Sequence, residues 1–97
     1  KLMVKVKLVD ILWLRADGNY TEIHTRETKY VLRTTLKDIE RNLDSARFMR
    51  VHKSYIVQLD AITATSMQKL YIGETELPIG RSYVQDLLTR INMISAD

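Results

Sequence analysis

Cysteine is absent from this 97-residue chain. That excludes a disulfide framework, a Cys-ligated zinc site, an iron–sulfur cluster and a thiol nucleophile, and it fits a reducing compartment. Histidine occurs only at His24 and His52, too few for a histidine-rich metal site, so neither a metal nor another cofactor is expected. No stretch approaches the roughly 18 apolar residues of a membrane-spanning helix. Lys1 to Lys7 alternates charge with apolar residues and lacks the continuous apolar region of a secretory signal. A cytoplasmic protein without a membrane partner is the expectation. The first residue is lysine, which reads as one domain excised from a longer protein, although a processed N-terminus has the same appearance. Aromatic residues make up 7%. Trp13 and Phe48 lie in apolar contexts and read as core, while Tyr20, Tyr55 and Tyr83 sit at element starts. They form no stacking platform of the kind that single-strand binders expose.

What is present points to one folded domain over residues 1–97. The chain is 45% hydrophobic and 28% charged, close to the globular average. The net charge of +3 leans toward a polyanionic partner without requiring one.

The hydrophobic pattern has mostly a period of two, as in strands with one buried face. Lys1 to Lys7, Asp10 to Arg15, Tyr20 to Thr25 and Lys29 to Arg33 read as strands. Ala16-Asp17-Gly18-Asn19 reads as a turn. Leu36, Ile39 and Leu43 switch to helical spacing, with Thr35 and Asp38 placed as a capping pair, predicting a short helix over 34–43. Phe48 to Lys53 reads as an irregular basic segment. Ser54 to Leu59, Ile62 to Ser66, Lys69 to Ile72 and Leu77 to Ile79 read as further strands, the last at an edge because Pro78 cannot donate to a ladder. Val84, Leu87, Leu88 and Ile91 mark a C-terminal helix with Ser82 as N-cap. The fold class is mostly β, with seven or eight strands, one short internal helix and one C-terminal helix.

An enzymatic reading has little to stand on, and no enzyme is expected. The acidic residues are scattered, none is paired with a histidine in a recognisable motif, and no phosphate-cradling glycine loop is present. No catalytic residue is nominated. Polar and basic side chains instead collect at three turns. Gly18-Asn19-Tyr20 offers an amide and a phenol. Arg47 to Ser54, R-F-M-R-V-H-K-S, holds Arg47, Arg50 and Lys53 with no acid among them. Gly80-Arg81-Ser82-Tyr83 puts an arginine just ahead of a helix. Phosphates respond to such local excess, and arginine forks onto guanine edges. The other reading is three solvated turns. Under either, His52 reads as bracing its loop through the backbone in preference to touching a base. If the three turns share one edge, they reach into a groove together.

These segments, taken in order, resemble the LytTR family of DNA-binding domains along nearly the whole chain. The resemblance rests on D-I-L-W-L with R-A-D-G-N-Y-T-E-I-H-T, then Y-V-L-R-T-T-L-K-D-I-E-R-N-L, F-M-R-V-H-K-S-Y-I-V-Q-L-D-A-I and L-P-I-G-R-S-Y. Gln58 stands where the family usually has Asn. The resemblance implies elongated antiparallel sheets and readout of double-stranded DNA by loops in successive major grooves. It implies binding to repeated promoter sites, usually as a homodimer, and a role as transcription-regulating output domain behind the receiver of a bacterial two-component response regulator. It assigns base contacts to Asn19 and Tyr20, Lys53 and Arg81, and phosphate contacts to Arg50, Ser54 and Ser82, with His52 in the same loop. The alternative is a protein-interaction or signalling module on the same β scaffold, binding partners through the edge at Leu77 to Ile79.

Overall fold

Two turns show how local chemistry sets the strands. The computed structural model describes Met3 and residues 5–91. Strand β1 (Ile11–Asp17) folds back into β2 (Tyr20–Thr25) through Gly18 and Asn19, and β7 (Lys69–Ile72) into β8 (Thr75–Pro78) through Gly73 and Glu74. Gly18 has φ +59° and Gly73 φ +60°, while no other described residue type has positive φ. Glycine first, with an ordinary residue second, is the two-residue hairpin whose twist matches the strands. The remaining elements are β3 (Lys29–Leu32), α1 (Leu36–Glu40), β4 (Phe48–His52), β5 (Tyr55–Gln58), β6 (Ala64–Thr65) and α2 (Val84–Arg90). Single 3-10 turns occupy Leu8–Asp10, Leu59–Ala61 and Arg81–Tyr83.

The strands form a five-stranded antiparallel sheet, β3-β2-β1-β5-β4, and a three-stranded one, β6-β7-β8. One face of the larger sheet packs Ile11, Leu14, Ile23, Phe48 and Ile56 on Leu36 of α1, with Ile39 and Leu43 beside them. The opposite face sets Met49, Val51 and Val57 against Leu70, Ile72 and Leu77 of the smaller sheet and against Val84 and Leu87 of α2. Stacking a helix, a sheet and a second sheet with its own helix gives a body of 51 × 25 × 22 Å, elongated as expected. No helix among the described residues is long and apolar enough to cross a membrane.

Several boundaries differ from the sequence reading. Lys5 to Lys7 carry no strand, and Lys1, Leu2 and Val4 lie outside the described residues. Phe48 to His52 is a ladder strand, bulged between Arg50 and His52, and not an irregular segment, because Phe48 and Met49 are buried on opposite faces of the sheet. The strand expected over 62–66 shrinks to Ala64–Thr65. The internal helix keeps its cap, with the Asp38 N–H donating to Thr35 Oγ1 at 3.1 Å, but ends at Glu40. So short a helix depends on packing to persist. Ser82 is not an N-cap; it sits within the Arg81–Tyr83 turn, and Tyr83 precedes α2 without a side-chain cap. Trp13 is half-buried and stacks on His24 with ring centroids 4.4 Å apart. β8 is an edge strand, as Pro78 requires.

Gln58, at the end of β5, bonds the turn that enters β1. It is 3% exposed, and its carboxamide N–H donates to Ile11 O at 2.6 Å, with Leu8 O and Val9 O at 3.4 and 3.3 Å. The side chain thus pins the turn entering β1 to the end of β5, and its buried amide is satisfied.

Beside Trp13, Glu22 accepts from His24 Nε2 at 2.9 Å and pairs with Arg15 at 3.2 Å and Lys29 at 3.9 Å. The His24 hydrogen bond, aided by the two cations, holds the Glu22 carboxyl below its ordinary value despite partial burial. A depressed carboxylate contributes stability above its unfolded-state pKa and loses it as pH falls through the folded-state value. The expected outcome is extra destabilisation below about pH 4.3 that Glu22→Gln removes. Urea midpoints measured across the acid range check this; parallel curves for the two proteins refute it.

Candidate nucleic-acid interface

Antiparallel pairing brings two of the three nominated turns together. β1 ends as β5 begins, with Arg15 opposite Tyr55, so the Gly18-Asn19 turn and the Lys53-Ser54 turn leave the sheet side by side. The Ala16 N–H donates to Ser54 O at 2.9 Å and couples them. β4 ends at the same place. A bulge between Arg50 and His52 shifts its register against β5; bulges of this kind re-aim side chains at sheet ends. Val51 O accepts from the Gly80 N–H at 2.7 Å, which draws the Arg81–Tyr83 turn to the same rim.

Gly80 is required there by space. A β-carbon on it would lie 2.8 Å from Tyr83 Cδ2 and 3.5 Å from the His52 α-carbon. Its φ of −67° suits any residue, so the constraint is contact and not backbone strain. Gly80→Ala should cost about 1–3 kcal/mol. A denaturation curve unchanged from the parent would show that the Tyr83 ring yields freely.

The nominated side chains divide into two groups. Asn19, Tyr20, Lys53, Arg81 and Ser82 are exposed. Lys53 and Arg81 make no ion pair among the described residues. Arg50, His52 and Ser54 are half-buried and face inward bonds. His52 Nδ1 accepts from the Ser54 N–H at 3.0 Å, which fixes the proton on Nε2 in the neutral ring. Its ring meets Tyr55 edge-on at 5.7 Å, so the bracing geometry foreseen for His52 is present. Arg50 donates to Lys53 O at 3.0 Å and pairs with Glu40 at 3.5 Å. Arg47 pairs with Asp44 at 3.9 Å. The run without acids in sequence is therefore met by acids from α1 and the loop after it, leaving Lys53 as its free cation among the described residues. Nothing in the residue order points to Glu40, since a cross-element pair has no spacing to read.

Residues 1–92 match the LytTr DNA-binding domain. The chain belongs to the LytTR family. The chain is 30% identical over 99 residues to the heme-containing CO-sensing transcriptional regulator RcoM 1 of Paraburkholderia xenovorans, covering 95% of this chain and 37% of that protein. It is 36% identical over 92 residues to the sensory transduction protein LytT of Bacillus anthracis, covering 88% and 37%. It thus spans 37% of the length of these curated relatives. A solved LytTr DNA-binding domain of a putative methyl-accepting/DNA response regulator from Bacillus cereus superposes with a TM-score of 0.77 at 24% identity, covering 88% of this chain and 86% of that one. That likeness carries the LytTR fold.

Proposed function

We propose that this LytTR domain reads double-stranded DNA with the rim formed by its three turns. Asn19 and Tyr20, Lys53 and Arg81 meet base edges in successive major grooves, and Ser54 and Ser82 meet phosphates. The observation that carries the reading is the pair of backbone hydrogen bonds, Ala16 to Ser54 and Gly80 to Val51, that hold three sequence-distant turns at one end of the sheet. A row of exposed donors on fixed backbone separates sequence readout from phosphate positioning. His52 serves the rim by bracing its middle turn.

The whole protein is a cytoplasmic bacterial transcription regulator in this reading. The LytTR domain is its output half, controlled by a regulatory domain such as a two-component receiver, and two copies occupy repeated half-sites. Its role is recognition without catalysis. Strand addition at β8 is the weaker reading, because Pro78 removes a donor from that edge.

Selection from a random duplex library, followed by titration against the selected and a scrambled duplex, tests the proposal. Enrichment of a defined site with discrimination in moderate salt is the expected result; equal affinity for both duplexes overturns sequence-specific reading. Lys53→Ala sharpens the test. A base contact predicts a loss confined to the selected duplex, whereas a phosphate contact predicts a salt-dependence slope smaller by about one unit on every duplex.

A further inference from the structure

The turn that presents Lys53 has no lock of its own. His52 and Tyr55 face each other across it, leaving Lys53 and Ser54 as a two-residue hairpin loop. Such loops ordinarily use turns with positive φ, which match the strand twist. Neither Lys53 nor Ser54 has positive φ, and neither is glycine. Contacts from outside the turn must then hold its direction. His52 fixes the Ser54 amide, and the Ala16 amide fixes the Ser54 carbonyl. The Lys53 carbonyl has a partner in Arg50 Nη1 at 3.0 Å.

Arg50 is itself held from behind. Its Nη2 pairs with Glu40 at 3.5 Å, and its side chain is 21% exposed. Nε is buried without a hydrogen-bond partner among the described residues. Both terminal nitrogens are thus engaged inside the protein, one at the Lys53 carbonyl and one at the Glu40 carboxylate, so a phosphate would have to compete with charge-assisted bonds already made.

We propose that Arg50 is a positioning residue for base reading by Lys53, a strut from Glu40 of α1 to the Lys53 carbonyl, and not a phosphate contact. This assignment rests on the DNA reading above. It extends that reading by making the short helix part of the recognition apparatus. The strut sets where the Lys53 side chain starts, so its loss is felt through Lys53.

Arg50→Lys separates the two roles, since lysine keeps the charge but lacks the planar fork. On the selected duplex, Arg50→Lys and Arg50→Ala should both lose about fivefold in affinity, as expected for members of one hydrogen-bonded network. The salt slope should match the parent in both. In a Lys53→Ala background the further loss should shrink to less than about twofold. Glu40→Gln should also weaken specific binding, although removing an acid near DNA would by charge alone strengthen it. Amide exchange at Lys53 and Ser54 in the DNA-free protein should quicken in Arg50→Lys while exchange in the core of β5 does not.

Parent-like affinity for Arg50→Lys, a slope reduced by about one unit in Arg50→Ala, or losses that add to those of Lys53→Ala would each overturn the strut. Unchanged exchange in the turn overturns it without reference to DNA. If the unaltered protein enriches no duplex, the DNA reading itself falls, and Lys53 has nothing to be positioned for even where the turn loosens.

Discussion

Replacing Arg81 by alanine should weaken binding to the selected duplex by about 5- to 150-fold, equivalent to roughly 1–3 kcal/mol, with a much smaller loss on scrambled DNA. The asymmetry follows from chemistry and placement together. A guanidinium forks onto the O6 and N7 of guanine, which no other base pair offers in the same pattern. Arg81 is exposed, makes no ion pair among the described residues, and stands on a turn pinned to β4 through the Gly80–Val51 hydrogen bond. Its side chain therefore needs no internal bond broken before it meets DNA. Anisotropy titrations on both duplexes measure the two losses. Equal losses would reassign Arg81 to phosphate. The unfolding midpoint should barely move, because this exposed side chain makes no hydrogen bond or ion pair among the described residues.

Ile56→Ala should do the reverse. Ile56 is fully buried, pairs with Leu14 of β1 on one side and Arg50 of β4 on the other, and belongs to the core packed on α1. Truncation removes apolar contact and leaves a cavity in a five-stranded sheet that cannot easily collapse, costing about 2–5 kcal/mol. Domains of this size are commonly stable by only about 5–15 kcal/mol, so the variant loses a large share of its margin. Urea unfolding followed by tryptophan fluorescence reads the effect through Trp13. A cost below about 1 kcal/mol would mean that Ile56 does not close the core between the strands. DNA affinity of the folded fraction should stay near that of the parent, which distinguishes a scaffold residue from a reading one.

The strands and both helices were legible where local chemistry fixed them. Gly18 marks the first tight hairpin, Thr35 caps α1, and Pro78 sends β8 to an edge. Length and pairing were harder. Phe48 to His52 looked irregular because both faces of β4 are covered, one by α1 and one by the smaller sheet, so alternation disappears. Nor does sequence show which charge meets which. In sequence the basic run offers Arg47, Arg50 and Lys53 alike, yet Asp44 and Glu40 engage the first two. The identities of the three polar turns came from the residues and the family resemblance. Their meeting at one rim depends on register between strands far apart in the chain, which only the folded structure supplies.

The two hydrogen bonds that gather the rim involve main-chain atoms alone, Ala16 to Ser54 and Gly80 to Val51. Backbone amides are common to every residue except proline. Side chains at 19, 53 and 81 can therefore be exchanged without removing either bond. Under the proposed reading, new side chains at these three positions would change the sites recognised while the main-chain bonds kept the turns at the same spacing.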